Sequence, residues 1–519
     1  MSEPLRLDAD VLVLGGGPAG AWAAVAAARA GARVVLADKG YCGTSGSAAA
    51  GGNNVWYLPP DPVARERSIA AREAAGGYLT ARRWMFRTVD EAYRRIEDLA
   101  SWGYPFPVDE SGTRRGSSLQ GPQYMRTMRR RVRRAGVRIL DHSPALELLT
   151  DADGVVGGAA GRCRQDGWRP WQVRAGAVVL ATGGCAFLSG ALGLNVDTGD
   201  GHLMAAEVGA QLSGMEFSAS YALAPAYGAQ TKGLMMQFAT YYDEGGRVVD
   251  GHRDALARRS AAGQPIFARL DRAPEELRAA ARLAQPNYFL PLDKARIDPF
   301  TTAYPVRFVL EGTVRGTGGL WLADDDCATG VPGLYAAGDV ATRELVTGAV
   351  SGGGSHNAAW AIASGSWAGA GAAGFALRRG RTRDGLRAAG GAGLRPTGSA
   401  VARPVHEVVR AVQDQVTPLD RNYFRTPGGL TRSLSFLDAL WTEVAAGLTG
   451  DGREALAARQ AAAMLAHARW MYRAALARPE SRGLHRRDDL PGTEPQWNRR
   501  IVVGGLDEVR TDQPVGATT

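Results

Sequence analysis

The clearest chemistry in this chain lies in three glycine-centred runs. GGGPAG puts glycines at 15, 17 and 20, after the apolar run VLVL and before an Ala-rich stretch, and the next apolar run, VVLAD, ends in Asp38. This is the spacing of a backbone cradle for a dinucleotide pyrophosphate. Gly15 permits the sharp turn, Gly17 lets backbone approach the phosphates, and Gly20 lets helix pack on strand. Pro18 and Ala19 open a helix whose free N–H groups and partial positive charge favour the anion, and Asp38 can accept from a ribose hydroxyl. ATGG (Ala181, Thr182, Gly183, Gly184) and AAGD (Ala336 to Asp339) are two further strand-end signals. Three separated elements meeting one extended ligand point to FAD rather than NAD, with backbone contact at Gly338 and a ribityl contact at Asp339.

A flavin exchanging hydride needs a substrate held against it and usually a proton donor or acceptor. Candidates for catalysis are Arg315 before GTGGL, His356 in SGGGSHN, and Arg482 and His485 in ESRGLHRRD. Asn53 and Asn54 are candidates to face the substrate; a tight Asn turn is the alternative. His142, His202, His252, His406 and His467 read as ordinary polar residues. No metal site is expected. The four Cys are not grouped as CxxC, so they form neither a disulfide framework nor a cluster or zinc site.

These residues need elements to position them. Asp10 to Asp38 reads strand, Gly turn, helix, strand, a βαβ unit. Further strands fall at VVGGAAG, AVVLATGG and GLYAAGD. YMRTMRRRVRRAGVRIL reads as a helix running into a strand, with six Arg between Arg126 and Arg134 on one solvated face. The helical apolar spacing of FLDALWTEVAAGL and EALAARQAAAMLAHARWMYRAALAR marks a C-terminal helical part. The fold expected is α/β: a Rossmann-like FAD-binding domain (1–217 and 316–380), an inserted α+β capping domain (218–315) and a C-terminal helical domain (400–519).

The 519 residues carry a formal charge of +9, but only Lys39, Lys232 and Lys294 among the 61 basic residues are lysine. With 68 Gly as well, this bias matches GC-rich coding composition better than selection for nucleic acid. No basic signal-like segment precedes the first strand, and Ala361 to Leu377 reads as a packed helix rather than a membrane span. A cytoplasmic protein with no nucleic-acid and no membrane partner is expected.

GTSGSAAAGGNN (Gly43–Asn54), NVDTGDGHLMAAEVGA (Asn195–Ala210), GMEF, VPGLYAAGD and ESRGLHRRDDLP occur in that order. The chain thereby resembles the succinate dehydrogenase/fumarate reductase flavoprotein family over nearly its whole length. The resemblance implies a substrate between flavin and cap, a cap Arg as proton shuttle, and a helix N-terminus at Ser355–Asn357 facing the flavin. It adds cofactor contacts from Lys39, Thr44, Ser45, Gly46, Ala50, Gly51, Gly52, Ala145, Asp200, Ser355, Asn357 and Ala358. Members that attach FAD covalently use a His where Ser45 stands, and no His occurs between Met1 and Asp141, so non-covalent FAD is expected. Dicarboxylate-specific members carry His-Pro-Thr after MEF and a substrate Arg before their Asn-Ser-Leu motif. Here MEFSASYALAPAYG and Ser351 stand in those places, which weakens succinate, fumarate and aspartate as substrates and leaves Ser351 as a substrate contact. SGGGSH, GTVRGTGGLWLADD and TKGLMMQFATYYDEGGR are similar to the adenylylsulfate reductase alpha subunit, which implies a separate iron–sulfur electron partner.

The function expected is an FAD-dependent dehydrogenase or reductase moving hydride between flavin N5 and a small polar or anionic metabolite, with a ferredoxin-like partner exchanging electrons. Alternatives are an oxidase using O2, a flavoprotein that works only in complex with an iron–sulfur protein, and, on the Arg126–Arg134 run alone, an FAD-dependent tRNA-modifying protein. The oligomeric state is left open.

Overall fold

The computed structural model describes residues 3–351, 353–380, 385–398 and 403–512; the expected boundary at 400 lies outside them. Strands Val11–Leu14, Val34–Ala37 and Ala177–Leu180 are buried at every position. Their apolar runs do not alternate because both faces are covered, as parallel sheets require. With Leu334–Ala336 and Arg138–Leu140 they form one parallel sheet, in the order Leu334, Ala177, Val11, Val34, Arg138 by first residue. Strand order reverses between Val11–Leu14 and Ala177–Leu180. In such sheets a ligand sits beyond the carboxyl ends at that reversal. Here those ends are Gly15, Ala181 and, one strand over, Ala337.

Helix Pro18–Arg29 covers this sheet and lies against helix Ser355–Arg379. The two backbones nearly touch: a Cβ on Gly369 would lie 2.2 Å from the Ala23 carbonyl, and one on Gly365 2.4 Å from that of Ala19. The Ala/Gly richness of Ala361–Leu377 is thus a packing device. Among the described residues no helix is long and apolar enough to cross a membrane. A second sheet, antiparallel except for Leu5–Asp8, is built on Ala145–Thr150, Val156–Cys163 and Arg169–Arg174. Helix Gly121–Arg134 exposes Arg126, Arg130, Arg133 and Arg134, whereas Arg129 pairs with Asp141 at 2.7 Å and Arg131 lies over the Trp102 ring.

Between residues 221 and 310 the chain forms a four-stranded antiparallel sheet, Tyr221–Pro225, Tyr304–Leu310, Ile266–Arg269 and Thr240–Tyr242, with three helices. This α+β cap has its own core, including Leu270, Tyr288, Phe289, Leu292 and Tyr304. Beyond it, helices Val405–Val416, Leu419–Asn422, Pro427–Gly447 and Arg453–Ala477 form the helical part. It is not wholly helical. Val502–Gly504 pairs with Leu212–Ser213 and with Arg510–Asp512, so the tail is tied by strand pairing to the cofactor half.

Candidate active site

A cavity of about 680 Å³ runs from the carboxyl ends of the parallel strands to the underside of the cap. Its first half is backbone. Gly15, at φ +105, sits where a Cβ would be 2.2 Å from the Ala181 carbonyl, and a Cβ on Gly20 would be 1.8 Å from the Gly15 carbonyl. Side chains are excluded at both positions, and the strand end, the turn and the helix start close on one another. Gly17 caps helix Pro18–Arg29, and no side chain caps its free N–H groups, which leaves them for an anion. Asp38 accepts from Gly16 N at 2.5 Å, Gly40 N at 2.6 Å and Ser45 Oγ at 2.9 Å. It therefore braces the glycine turn and the following loop. Lys39 donates to Asp200 at 2.6 Å and to Thr198 at 2.9 Å. Asp339 pairs with Arg343, which is fully buried and also donates to the Thr313 carbonyl at 2.6 Å. Burial raises the Asp339 carboxyl above the usual range.

The residues present fit a bound FAD. Among the described residues, Thr182 Oγ1, Asp197 Oδ2 and both side-chain polar atoms of Asn357 are buried without a hydrogen-bond partner in the protein, and all three residues line the cavity. Such orphaned groups are costly unless a ligand meets them. Burial, with the charge of Asp339 beside it, pushes the Asp197 carboxyl well above its usual range.

The second half is made of side chains. Lys232, Arg253, Glu311 and Arg315 line it together with Leu223, Leu234, Met236 and Leu256. Arg315 approaches Glu311 at 3.6 Å. Burial raises the Glu311 carboxyl, opposed by Arg315, Arg253 and Lys232. Lys232 donates to the Gly52 carbonyl at 3.2 Å, and burial together with Arg315 pulls its ammonium down to about 7.

The cavity also brings in Gly17, Pro18, Ala19, Gly46, Gly52, Ala145, Gly183, Gly338, Ala358, Asn53, Asn54 and Ser351. Asn53 Nδ2 donates to the carbonyls of Ala48 and Gly51, at 2.8 and 3.1 Å, so it also holds its own turn. Arg72 donates to the carbonyls of Thr347 at 2.6 Å and Val350 at 3.1 Å, which steadies the approach to Ser351. Gly20, Thr44, Ala50, Gly51, Ser355 and His356 lie outside the lining. The His356 ring lies tilted against Trp56, ring centres 4.4 Å apart.

Arg482 and His485 also lie outside the lining, in a buried network around Glu216 and Glu480. Arg482 Nε donates to Glu480 at 2.7 Å, and its guanidinium reaches the Gly77 carbonyl and, at 2.6 Å, Asn498. His485 Nδ1 accepts from Arg425 at 2.7 Å and its Nε2 lies 3.0 Å from the Arg478 carbonyl. His202 and His467, expected to be ordinary polar residues, lie in the core. Both are fully buried, ring centres 5.0 Å apart, and burial lowers His202 to about 4.

Arg253, Lys232, Glu311 and Asp197 were not singled out by sequence reasoning. Lys232 had a usable signal. In a chain that uses Arg almost everywhere, two of its three lysines, Lys39 and Lys232, line this one cavity.

A pyrophosphate-type cradle at a strand-order reversal, faced by a cap bearing cations, defines a flavin-dependent oxidoreductase. Comparison with known proteins gives the family. The profile of the FAD binding domain family matches residues 10–300, more than half the chain, and that of the fumarate reductase flavoprotein C-terminal family matches residues 414–513. The chain belongs to the fumarate reductase/succinate dehydrogenase flavoprotein family and is an FAD-dependent oxidoreductase. It is 26% identical to a chain of the fumarate reductase (CoM/CoB) of Methanothermobacter marburgensis, over 96% of this chain and 97% of that one. It is 29% identical to the L-aspartate oxidase of Mycobacterium bovis, over 98% of each. Its fold matches the FrdA chain of E. coli quinol fumarate reductase at a TM-score of 0.80, with 20% identity over 99% of this chain and 98% of that one.

Proposed function

We propose that this protein exchanges hydride between non-covalently held FAD and a small anionic metabolite bound beneath the cap, with electrons passing to or from a separate protein. The observation that carries this reading is the single cavity joining the glycine cradle to Lys232, Arg253 and Arg315. FAD, when bound, supplies the two-electron acceptor or donor. The turn at Gly15–Gly20 would hold its pyrophosphate, Asp38 its adenosine ribose, and Thr182, Asp197 and Asn357 would meet its remaining polar groups. Arg315 and Arg253 are the candidates for the cap arginine that moves a proton. Each is tethered lightly, Arg315 to Glu311 at 3.6 Å and Arg253 over the Phe308 ring at 5.9 Å. A lightly held guanidinium can bind an anion and still reorient toward a reacting carbon.

Non-covalent attachment rests on Ser45, which donates to Asp38 and stands where a covalent histidine would. The electron partner rests on the cysteines. Cys42, Cys185 and Cys327 are buried, and burial raises each thiol, so a cluster relay would have to belong to another chain.

The test is to reduce the purified holoprotein under argon and follow flavin reoxidation. Addition of an unsaturated carboxylate such as fumarate, of an oxidised ferredoxin, or of O2 separates reductase, partner-dependent enzyme and oxidase. Reoxidation by O2 with stoichiometric peroxide, faster than by any acceptor, would replace this reading with the oxidase. Acid precipitation should leave the yellow colour in the supernatant; a yellow pellet refutes non-covalent attachment.

A further inference from the structure

Lys232 is a half-buried amine with an unusual setting. It lies in the cap segment between strands Tyr221–Pro225 and Thr240–Tyr242, and its stem passes over Gly51. A Cβ built on Gly51 would be 3.7 Å from both Lys232 Cδ and Nζ. The ammonium has three donors, and its bond within the protein is the one to the Gly52 carbonyl, at 3.2 Å. The charged groups facing it are Glu311 and Arg315, from the segment that returns from the cap; Arg253, on helix Arg253–Ala261, lines the same cavity. Thr231, Asn53 and Asn54 add only neutral groups.

Glu311 is shared among Arg315, Arg253 and Lys232. One buried carboxylate therefore faces two half-buried cations, Lys232 and Arg315, while the exposed Arg253 lines the same cavity, and the site is short of negative charge. A cation drawn partly out of water without a full counter-ion binds an incoming anion and holds its proton more firmly once the anion is there. Arginine at this position would stay charged whether or not an anion was present; lysine can respond.

We propose that Lys232 is the specificity-determining anion anchor of this site: its ammonium receives the anionic group of the substrate, and substrate binding is accompanied by proton uptake at its Nζ. The inference rests on the functional reading above and assigns the residue that selects anions within it. It concerns protonation only; no bond to carbon forms at Lys232.

The experiment is titration of the FAD-loaded protein with butyrate, inorganic sulfate and the neutral isostere butyramide, read by perturbation of the flavin absorbance between pH 6 and 8.5. At least one anion should bind saturably, with a dissociation constant rising about tenfold or more over that range. Lys232→Met should weaken that anion at least tenfold at pH 6 while retaining FAD and thermal stability. Lys232→Arg should keep binding and flatten its pH dependence. Butyramide should show neither effect. No saturable anion binding, binding independent of pH in the wild type, or unchanged binding in Lys232→Met with FAD retained would each overturn the proposal. A protein that takes up no FAD overturns the functional reading itself, and the flavin spectrum reports that separately from anion binding.

Discussion

Two arginine-rich regions of this molecule do opposite things. Around Glu216 and Glu480, the guanidinium groups of Arg425, Arg478 and Arg482 are locked. Arg478 donates to Glu216 at 2.8 Å, to Glu480 at 2.9 Å and to the carbonyls of Trp497 and Arg499 at 2.9 and 2.7 Å. Arg425 and Arg482 are held as fully. In the cap half of the cavity, Arg253, Arg315 and Lys232 face the space with few protein partners. A charge whose hydrogen-bond capacity is filled by protein builds structure. A charge left partly unfilled toward a cavity keeps hydrogen-bond capacity for a ligand: Lys232 and Arg315 are half-buried and Arg253 is exposed, so nothing in the protein saturates them.

The contrast can be broken most sharply at Arg478. Its loss leaves Glu216 and Glu480, both fully buried, without their shared cation. Arg478→Met should cost about 3–5 kcal/mol in denaturant unfolding, the range for one partner of a buried pair removed. A cost below about 1 kcal/mol would mean the network contributes little to stability. Arg315 should behave in the reverse way. In Arg315→Gln, Glu311 loses a contact of only 3.6 Å and keeps the charges of Lys232 and Arg253, so stability should fall by less than in Arg478→Met, while kcat should fall by about 100-fold or more if Arg315 moves the proton. The third variant sharpens the contrast. Arg482→Gln should lower stability through Glu480 and the Gly77 carbonyl, yet leave kcat per FAD-loaded molecule within about twofold. A selective collapse of kcat in Arg482→Gln, with stability intact, would move it back among the candidates for catalysis.

The cofactor half was legible in sequence because its chemistry is carried by backbone. Gly15, Gly20 and the strand-end runs at Ala181 and Gly338 are local patterns with fixed spacing, and the structure places them at adjoining strand ends for the reason the pattern exists. The α+β cap was legible from its position between two cofactor-fold strands. The substrate half was legible only in part: Arg315, Asn53, Asn54 and Ser351 were candidates and line the cavity, whereas Arg253, Lys232 and Glu311 were not singled out. Arg253, Glu311 and Arg315 come together through a sheet whose outer strands are Tyr221–Pro225 and Thr240–Tyr242, and no spacing rule links them. An Arg-rich composition then removed the usual signal of a lone cation. Arg482 and His485 attracted notice as a compact polar motif, but such a motif also suits a chain end that must be buried. The strands at Val502 and Arg510 were missed because strands of three residues carry too little alternation to read.

A pH-dependent test lies within the first, locked region. Glu344 is buried beside Glu216, and burial, with that neighbouring charge, raises its carboxyl to about 8. The folded chain therefore holds a proton that the unfolded chain has lost above its ordinary value of 4.5. Stability from this group is fully present below that ordinary value and is lost as pH rises through about 8. Glu344→Gln keeps the shape and cannot ionise. Its stability relative to wild type should be near zero at about pH 5 and should grow toward about pH 9, by no more than about 1.4 kcal/mol per unit of pH. Unfolding midpoints across that range give the measurement. A difference that stays flat would mean that Glu344 ionises in the folded chain as it does in the unfolded one, and that the nearby Arg478 and Arg500 compensate its burial in full.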